Sequence, residues 1–178
     1  FALCWGILSS YVAIYAKEKL GITGGTGVFF ALLAAGLFVS RLWGSRSLRQ
    51  GHITANCVFG VLVSTVGYTL FALSPGQWAY YASALLIGLG NGRMYPAFLN
   101  MFIMVARHDQ RGTANSSILI SWDVGVGVGM LAGGVLAEYA GYAAAFWAAA
   151  VVQAGGAAMF LLRTRNFFLR RRLYKNCE

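Results

Sequence analysis

The sequence is a series of long uncharged runs, with its basic residues gathered in short clusters between them. A helix rising about 1.5 Å per residue crosses a hydrocarbon core with roughly 20 apolar residues. Six stretches meet or approach that length: 1–16, 24–43, 53–73, 78–105, 113–137 and 142–162. The fourth is long enough to tilt or kink. The joints between them carry turn-forming residues: Gly21, Gly24 and Gly25; Gly44 and Gly51; Ser74, Pro75 and Gly76; Arg111 and Gly112; Gly141. Strands of a membrane barrel would alternate apolar and polar residues over about 10 positions, and these runs are continuous. The pattern predicts an all-α polytopic membrane protein, with a six-helix transmembrane bundle over 1–162 and a basic tail over 163–178. The first residue, Phe1, already sits inside an apolar run, so the chain is expected to be a fragment that continues upstream.

Composition closes the other routes. Hydrophobic residues make up 58% and charged residues 11%, against about 25% charged in soluble domains. That is too little polar surface for a soluble globule and too much apolar surface for a disordered chain. Three Cys, an odd number, do not make a disulfide scaffold. No basic region precedes the first apolar run, so no secretory signal is visible. The net charge of +9 raises nucleic acid as a partner. The clustering between apolar runs excludes it, because clusters that flank membrane spans explain the spacing.

Counting Lys and Arg sets the orientation. With six spans, Arg41, Arg46, Arg49, Arg107, Arg111, Arg163, Arg165, Arg170, Arg171, Arg172 and Lys175 fall on the side of the chain end, and only Lys17 and Lys19 on the other. This predicts a cytoplasmic C-terminus. The tail reads as an anchor set by this charge rule, with an anionic-lipid contact as the alternative.

Two charges are expensive where they stand. Asp123 lies about ten residues into the fifth stretch, and Arg93 about twelve residues from the inner end of the fourth. A charge at that depth costs at least roughly 2.5–3.5 kcal/mol. They are opposite in sign and on consecutive helices, which would place them at similar depth. One reading is a buried ion pair that fixes packing; the other is a substrate or proton site. Around Arg93 the chain reads GLGNGRMYPAFLN, adding Asn91, Tyr95 and Asn100 as candidates. Asn100 shares the helical face of Arg93, and Pro96 favours a kink. Gly88, Gly90 and Gly92 read as weak points of that helix. In the fifth stretch Gly125, Gly129 and Gly133 recur every fourth residue, a seam for close helix contact. Asp123, with Ser116 and Gly127, points away from it. Ser9, Ser10, Tyr11 and Tyr15 can bond either substrate or neighbouring helices. Cys4 and Cys57 read as apolar fillers, Cys177 as a free thiol, and Trp5, Trp43 and Trp78 as interfacial residues. No Cys/His cluster or paired acid exists for metal or protease chemistry, no phosphate-binding G-x-x-x-x-G-K-[ST] loop occurs, and no cofactor is expected. His52 and His108 fall in loops. A non-transporting membrane anchor or receptor remains possible on these grounds.

Several segments together resemble the C-terminal half of a major facilitator superfamily transporter. SRLWGSRSLRQG resembles the family's G-x-x-x-D-R-x-G loop, with Gly44, Arg49 and Gly51 in place and Leu48 where the acid stands. GVGVGMLAGG resembles its antiporter motif G-x-x-x-G-P-x-x-G-G, with Gly125, Gly129, Gly133 and Gly134 matched and Met130 in place of Pro. RGTANSS at the start of the fifth stretch is also similar. The likeness is to bacterial drug or sugar efflux permeases. It implies two six-helix halves around a central cavity, with this chain supplying the second half. The first and fourth stretches would line the cavity, the second and fifth would flank the missing N-terminal half, and Gly44, Arg49 and Gly51 would form a gating loop. The implied activity is secondary active, proton-coupled efflux of a small molecule by alternating access, or uptake symport on the same fold; protons, the substrate, the bilayer and the N-terminal half are the implied partners.

Overall fold

A computed structural model describes residues 1–22, 26–73 and 76–171. Among them the chain is helical, without strands: α1 (Ala2–Leu20), α2 (Thr26–Arg49), α3 (Ile53–Leu73), α4 (Gln77–Val105), a 3-10 turn (His108–Gln110), α5 (Arg111–Ala140), α6 (Tyr142–Met159), a π-helical turn (Phe160–Thr164) and α7 (Arg165–Arg171). The breakers Gly24, Gly25, Ser74 and Pro75, and the tail residues Arg172, Lys175, Cys177 and Glu178, lie outside the described residues.

Several helix ends differ from the expected ones: α1 runs four residues beyond 16, and α5 covers Arg111–Ala140 where 113–137 was expected. α2 continues six residues beyond 43, so Arg46 and Arg49 lie on its last turns and Arg41 well inside it. Beyond 162 the π turn carries the helix on into α7, so 163–171 is helical. Gly21 closes α1 in the left-handed region at φ 63°, with the Ile22 amide donating back to the Ala16 carbonyl at 3.1 Å.

Four helical stretches are long and apolar enough to cross a membrane: Thr26–Arg49, Ile53–Leu73, His108–Ala140 and Tyr142–Arg170. α1 and α4 are not among them. Their hydropathy is diluted by Ser9, Ser10, Lys17 and Lys19 in one, and by Asn91, Arg93 and Asn100 in the other.

Packing divides the helices into two trios. α4 packs on α2 and α3, and α1 packs on α5 and α6, while α3 meets α6 between them. Exchanging α1 with α4, α2 with α5 and α3 with α6 leaves this pattern unchanged, as expected of paired three-helix repeats. Both main pairings run at backbone contact. On the α2–α4 side, Gly88 sits on the Leu33 carbonyl, and a Cβ on Gly36 would lie 2.7 Å from the Leu85 oxygen. On the α1–α5 side, Gly6 sits on the Val126 carbonyl and Gly129 on the Leu3 carbonyl. Small residues permit this approach where lipid offers no hydrophobic drive for helix association. α1–α2 and α4–α5, consecutive or nearly so in sequence, touch only slightly.

One end of the bundle is closed by rings from five helices. Phe29 and Tyr80 lie 4.6 Å apart, Phe71 and Phe146 4.7 Å, and Tyr15 and Phe146 5.0 Å, in tilted or edge-on arrangements that aromatic quadrupoles favour. Between the trios, the buried Gln153 of α6 donates to Ser64 Oγ of α3 at 2.7 Å.

Candidate functional site

Four helices meet at a cavity of about 220 Å³, lined by Trp5 of α1, Leu37 and Arg41 of α2, Asn91 and Tyr95 of α4, and Trp122 of α5. The spacing makes this local geometry. Leu37 and Arg41 are four apart, as are Asn91 and Tyr95, so each pair shares a helical face. Tyr95 and Trp122 stack edge-on at 5.0 Å, bridging α4 to α5 across the weakly packed seam. A cleft of about 340 Å³ adjoins this cavity, sharing Arg41 and Tyr95. It continues between α2 and α4 past Gly44, Ser45, Arg93 and Leu99.

Of the residues singled out in the sequence, Asn91 and Tyr95 come together here. Arg93 does not join them. At about 100° per residue it lies roughly 200° round α4 from Asn91, on the flank between α2 and α3. Its guanidinium carbon sits 4.3 Å from the centre of the Phe59 ring, a cation–π contact. Its side-chain stem passes Gly44, where a Cβ would come within 3.1 Å of Arg93 Cγ. Its Nε is buried without a hydrogen-bond partner.

Asp123 is exposed on α5 and forms no ion pair with Arg93, so the expected Arg93–Asp123 pair is not present. The reason is packing: α4 is held by α2 and α3, and α5 by α1 and α6, so α4 and α5, though neighbours in sequence, are not close partners.

Tyr11 is also placed differently from a substrate ligand. Its hydroxyl donates to the Met130 carbonyl at 2.7 Å, and its ring packs over Gly133 and Gly134. It fastens α1 to α5. Asn100 turns back on its own helix and donates to the Pro96 carbonyl at 2.9 Å. The stripe of Gly125, Gly129 and Gly133 lies against Ala2, Leu3, Ile7 and Tyr11 of α1. Gly88 and Gly92 lie against α2, and Gly90 against α3, so the glycines of α4 are contact points rather than weak points.

Gly44, Arg49 and Gly51 fall at the end of α2 and the turn after it. Gly51 takes φ 86°, and Arg49 is exposed. Asn56, only 2% exposed, holds the turn by donating to Ser47 Oγ at 2.8 Å and to the His52 carbonyl at 2.7 Å. Leu48, at the position of the family's acid, packs against the apolar cluster of Ile53, Cys57 and Met101. An apolar contact thus stands at the position of the motif's acid.

Trp5, Arg41 and Trp122 line the cavity, although the sequence reading set Trp5 at an interface and counted Arg41 only as a flanking charge near the inner end of the second stretch. The available signal was the periodicity of 37, 41, 44, 45 and 48, which puts Arg41 on one continuous face of α2. Trp43 and Trp78, 71% and 91% exposed, stand out from the bundle. Among the described residues, no group of three or more His, Cys, Asp or Glu is placed to hold a metal ion.

Comparison with known proteins gives one relative and a family. A curated protein of Rhodobacter capsulatus, described as an uncharacterized protein in the puhA-bchM intergenic region, is 30% identical over 136 residues, which is 74% of this chain and 28% of that protein. The chain therefore spans less than a third of the relative's length. No solved structure matches. The family model of the Major Facilitator Superfamily matches residues 1–172. By that match over nearly its whole length, the chain belongs to the Major Facilitator Superfamily.

Proposed function

We propose that this chain is the C-terminal half of a secondary active transporter, which moves a small molecule outward across a bacterial inner membrane by alternating access, coupled to protons. The observation that carries the reading is the convergence of α1, α2, α4 and α5 on one cavity with polar groups from two of them, Arg41, Asn91 and Tyr95. A mere anchor has no use for these groups at that place, since each costs free energy in a bilayer unless it meets a partner. A second observation fits a partner half. α2 and α5 leave large apolar side chains uncovered, including Phe38 at 65% and Leu131 at 76%. In this reading Asp123, exposed on α5, is the proton carrier, and it acts separately from Arg93.

The test is the full-length protein in proteoliposomes with an imposed pH gradient, followed by solute flux. Gradient-driven flux that collapses with a proton ionophore, and that Asp123→Asn uncouples from pH, is the expected result. Flux equal to that of protein-free vesicles under every gradient refutes transport. Flux indifferent to the gradient refutes proton coupling alone.

A further inference from the structure

We propose that the cavity selects organic anions with a flat apolar body, Arg41 holding the anionic group and Trp5, Tyr95 and Trp122 the rings. This rests on the transporter reading and names its substrate class.

The lining is rich in donors and poor in acceptors. Arg41 carries five N–H donors and no acceptor, and the indoles of Trp5 and Trp122 donate only. Tyr95 and Asn91 can do both. A substrate that satisfies this set must present acceptors. The charge balance points the same way. Among the described residues, none of the acids Glu18, Asp109, Asp123 and Glu138 lines either space, whereas the adjoining cleft adds a second cation, Arg93. No ion pair neutralises Arg41 or Arg93 among the described residues; Arg93 rests on a ring. Arg41 is exposed and Arg93 half-buried; unpaired cations in these places attract an anion and oppose a cation equally.

The body of the ligand follows from the remaining surface. Two indoles, a phenol ring and Leu37 offer faces for stacking and little else. A cavity of about 150 Å³ accepts a benzene ring, so a space of about 220 Å³ holds a ring system with its anionic group, and the cleft of about 340 Å³ beside Arg41 leaves room for a longer molecule. Arg41 borders both spaces, so its guanidinium is the group that a carboxylate or sulfonate meets from either one.

Isothermal titration of the solubilised full-length protein tests this with three probes of one shape: naphthalene-2-sulfonate, neutral naphthalene-2-methanol and cationic 2-naphthylmethylammonium. The anion is expected to bind at least about tenfold more tightly than the neutral probe, the low end of what a hydrogen bond to a charged group contributes, and the cation most weakly. Arg41→Gln should weaken the anion by about tenfold and leave the neutral probe unchanged, and Arg41→Lys should recover part of the loss. Absence of saturable anion binding, equal or tighter binding of the cation, or an anion affinity indifferent to Arg41→Gln in a monodisperse variant overturns the proposal. Parallel flux measurements separate the two readings. Anion binding without gradient-driven flux refutes transport and leaves the anion site standing, whereas flux of the cationic probe without anion binding refutes the anion site and leaves transport standing.

Discussion

Gly127 and Gly129 differ by one turn of phrase in the sequence and by an entire interface in the fold. A Cβ on Gly129 would meet the Leu3 carbonyl oxygen directly and lie 2.9 Å from both the Leu3 carbonyl carbon and Cα, whereas a Cβ on Gly127 meets nothing within 4 Å. Carbon atoms rest about 3.5–4.0 Å apart, so Gly129→Ala requires α1 and α5 to separate by several tenths of an ångström to an ångström. The obstacle is backbone, which cannot rotate away as a side chain can. A gap of 0.5–1 Å forfeits roughly a quarter to a half of each dispersion contact across it, and the same shift loosens Gly6 on Val126 and Gly125 on Ala2. Overpacking of this kind costs about 1–3 kcal/mol. Gly127→Ala pays no such penalty, and both substitutions gain up to about 1 kcal/mol of helix propensity. That gain cancels between them, so the two alanine variants should differ by about 1–3 kcal/mol, with Gly127→Ala at or above the parent. Unfolding midpoints of both variants and the parent, measured in one detergent with one probe, read the difference. Equal midpoints, or a larger loss at Gly127, would refute backbone contact between α1 and α5 at Leu3.

Three further outcomes follow from individual contacts. Tyr11→Phe removes the bond to the Met130 carbonyl and should lower stability by about 0.6 kcal/mol, the average for such interhelical bonds in membranes, with substrate affinity unchanged in the binding assay; a lost affinity with unchanged stability would make Tyr11 a substrate ligand. Asn56→Ala removes both donors that hold the turn after α2 and leaves their acceptors unsatisfied, at about 1–3 kcal/mol; proteolysis between Arg49 and His52 should accelerate, and an unchanged cleavage rate would refute the lock. A double-mutant cycle of Arg93→Gln and Asp123→Asn, read as unfolding free energy, should give additive effects within about 0.5 kcal/mol, as for sites without shared partners; a larger coupling would restore the ion pair.

The sequence carried the helices and one of their faces, and it stopped at the question of which helix meets which. Apolar runs mark a span wherever the membrane demands one, so α3 matches its stretch, Ile53–Leu73, end for end. The end of α2 was hidden because Arg46 and Arg49 read as a loop, although long basic side chains can stay helical and reach toward water. The glycines of α5, four apart, fall on one face and were legible as a seam. Those of α4, two apart, fall on two faces, and only the fold reveals that Gly88 and Gly92 serve α2 while Gly90 serves α3. Arg93 and Asp123 were linked by rarity and sign, properties that say nothing about direction. Direction set them apart: Arg93 sits over Phe59, and Asp123 faces outward.

The same glycine contacts explain how the cavity is held. Arg41, Asn91 and Tyr95 belong to the α2–α4 pair, which is locked by Gly36, Gly88 and Gly92 and by the Ser40 hydroxyl donating to the Leu89 carbonyl. Trp5 and Trp122 belong to the α1–α5 pair, locked by Gly6, Gly125 and Gly129 and by the Tyr11 hydroxyl on the Met130 carbonyl. Each pair is a rigid carrier of part of the lining, because backbone contact leaves neither helix room to slide toward the other. The two carriers barely touch along α4–α5 and α1–α2, and the cavity opens at that seam. Side chains are thus fixed within a pair, while across the division near the cavity the Tyr95–Trp122 ring contact joins the two parts of the lining. A residue enlarged inside a locked pair displaces its own part of the site, whereas one changed at the seam alters the distance between the two parts. The contrast between Gly129→Ala and Gly127→Ala therefore reports on the site as well as on stability.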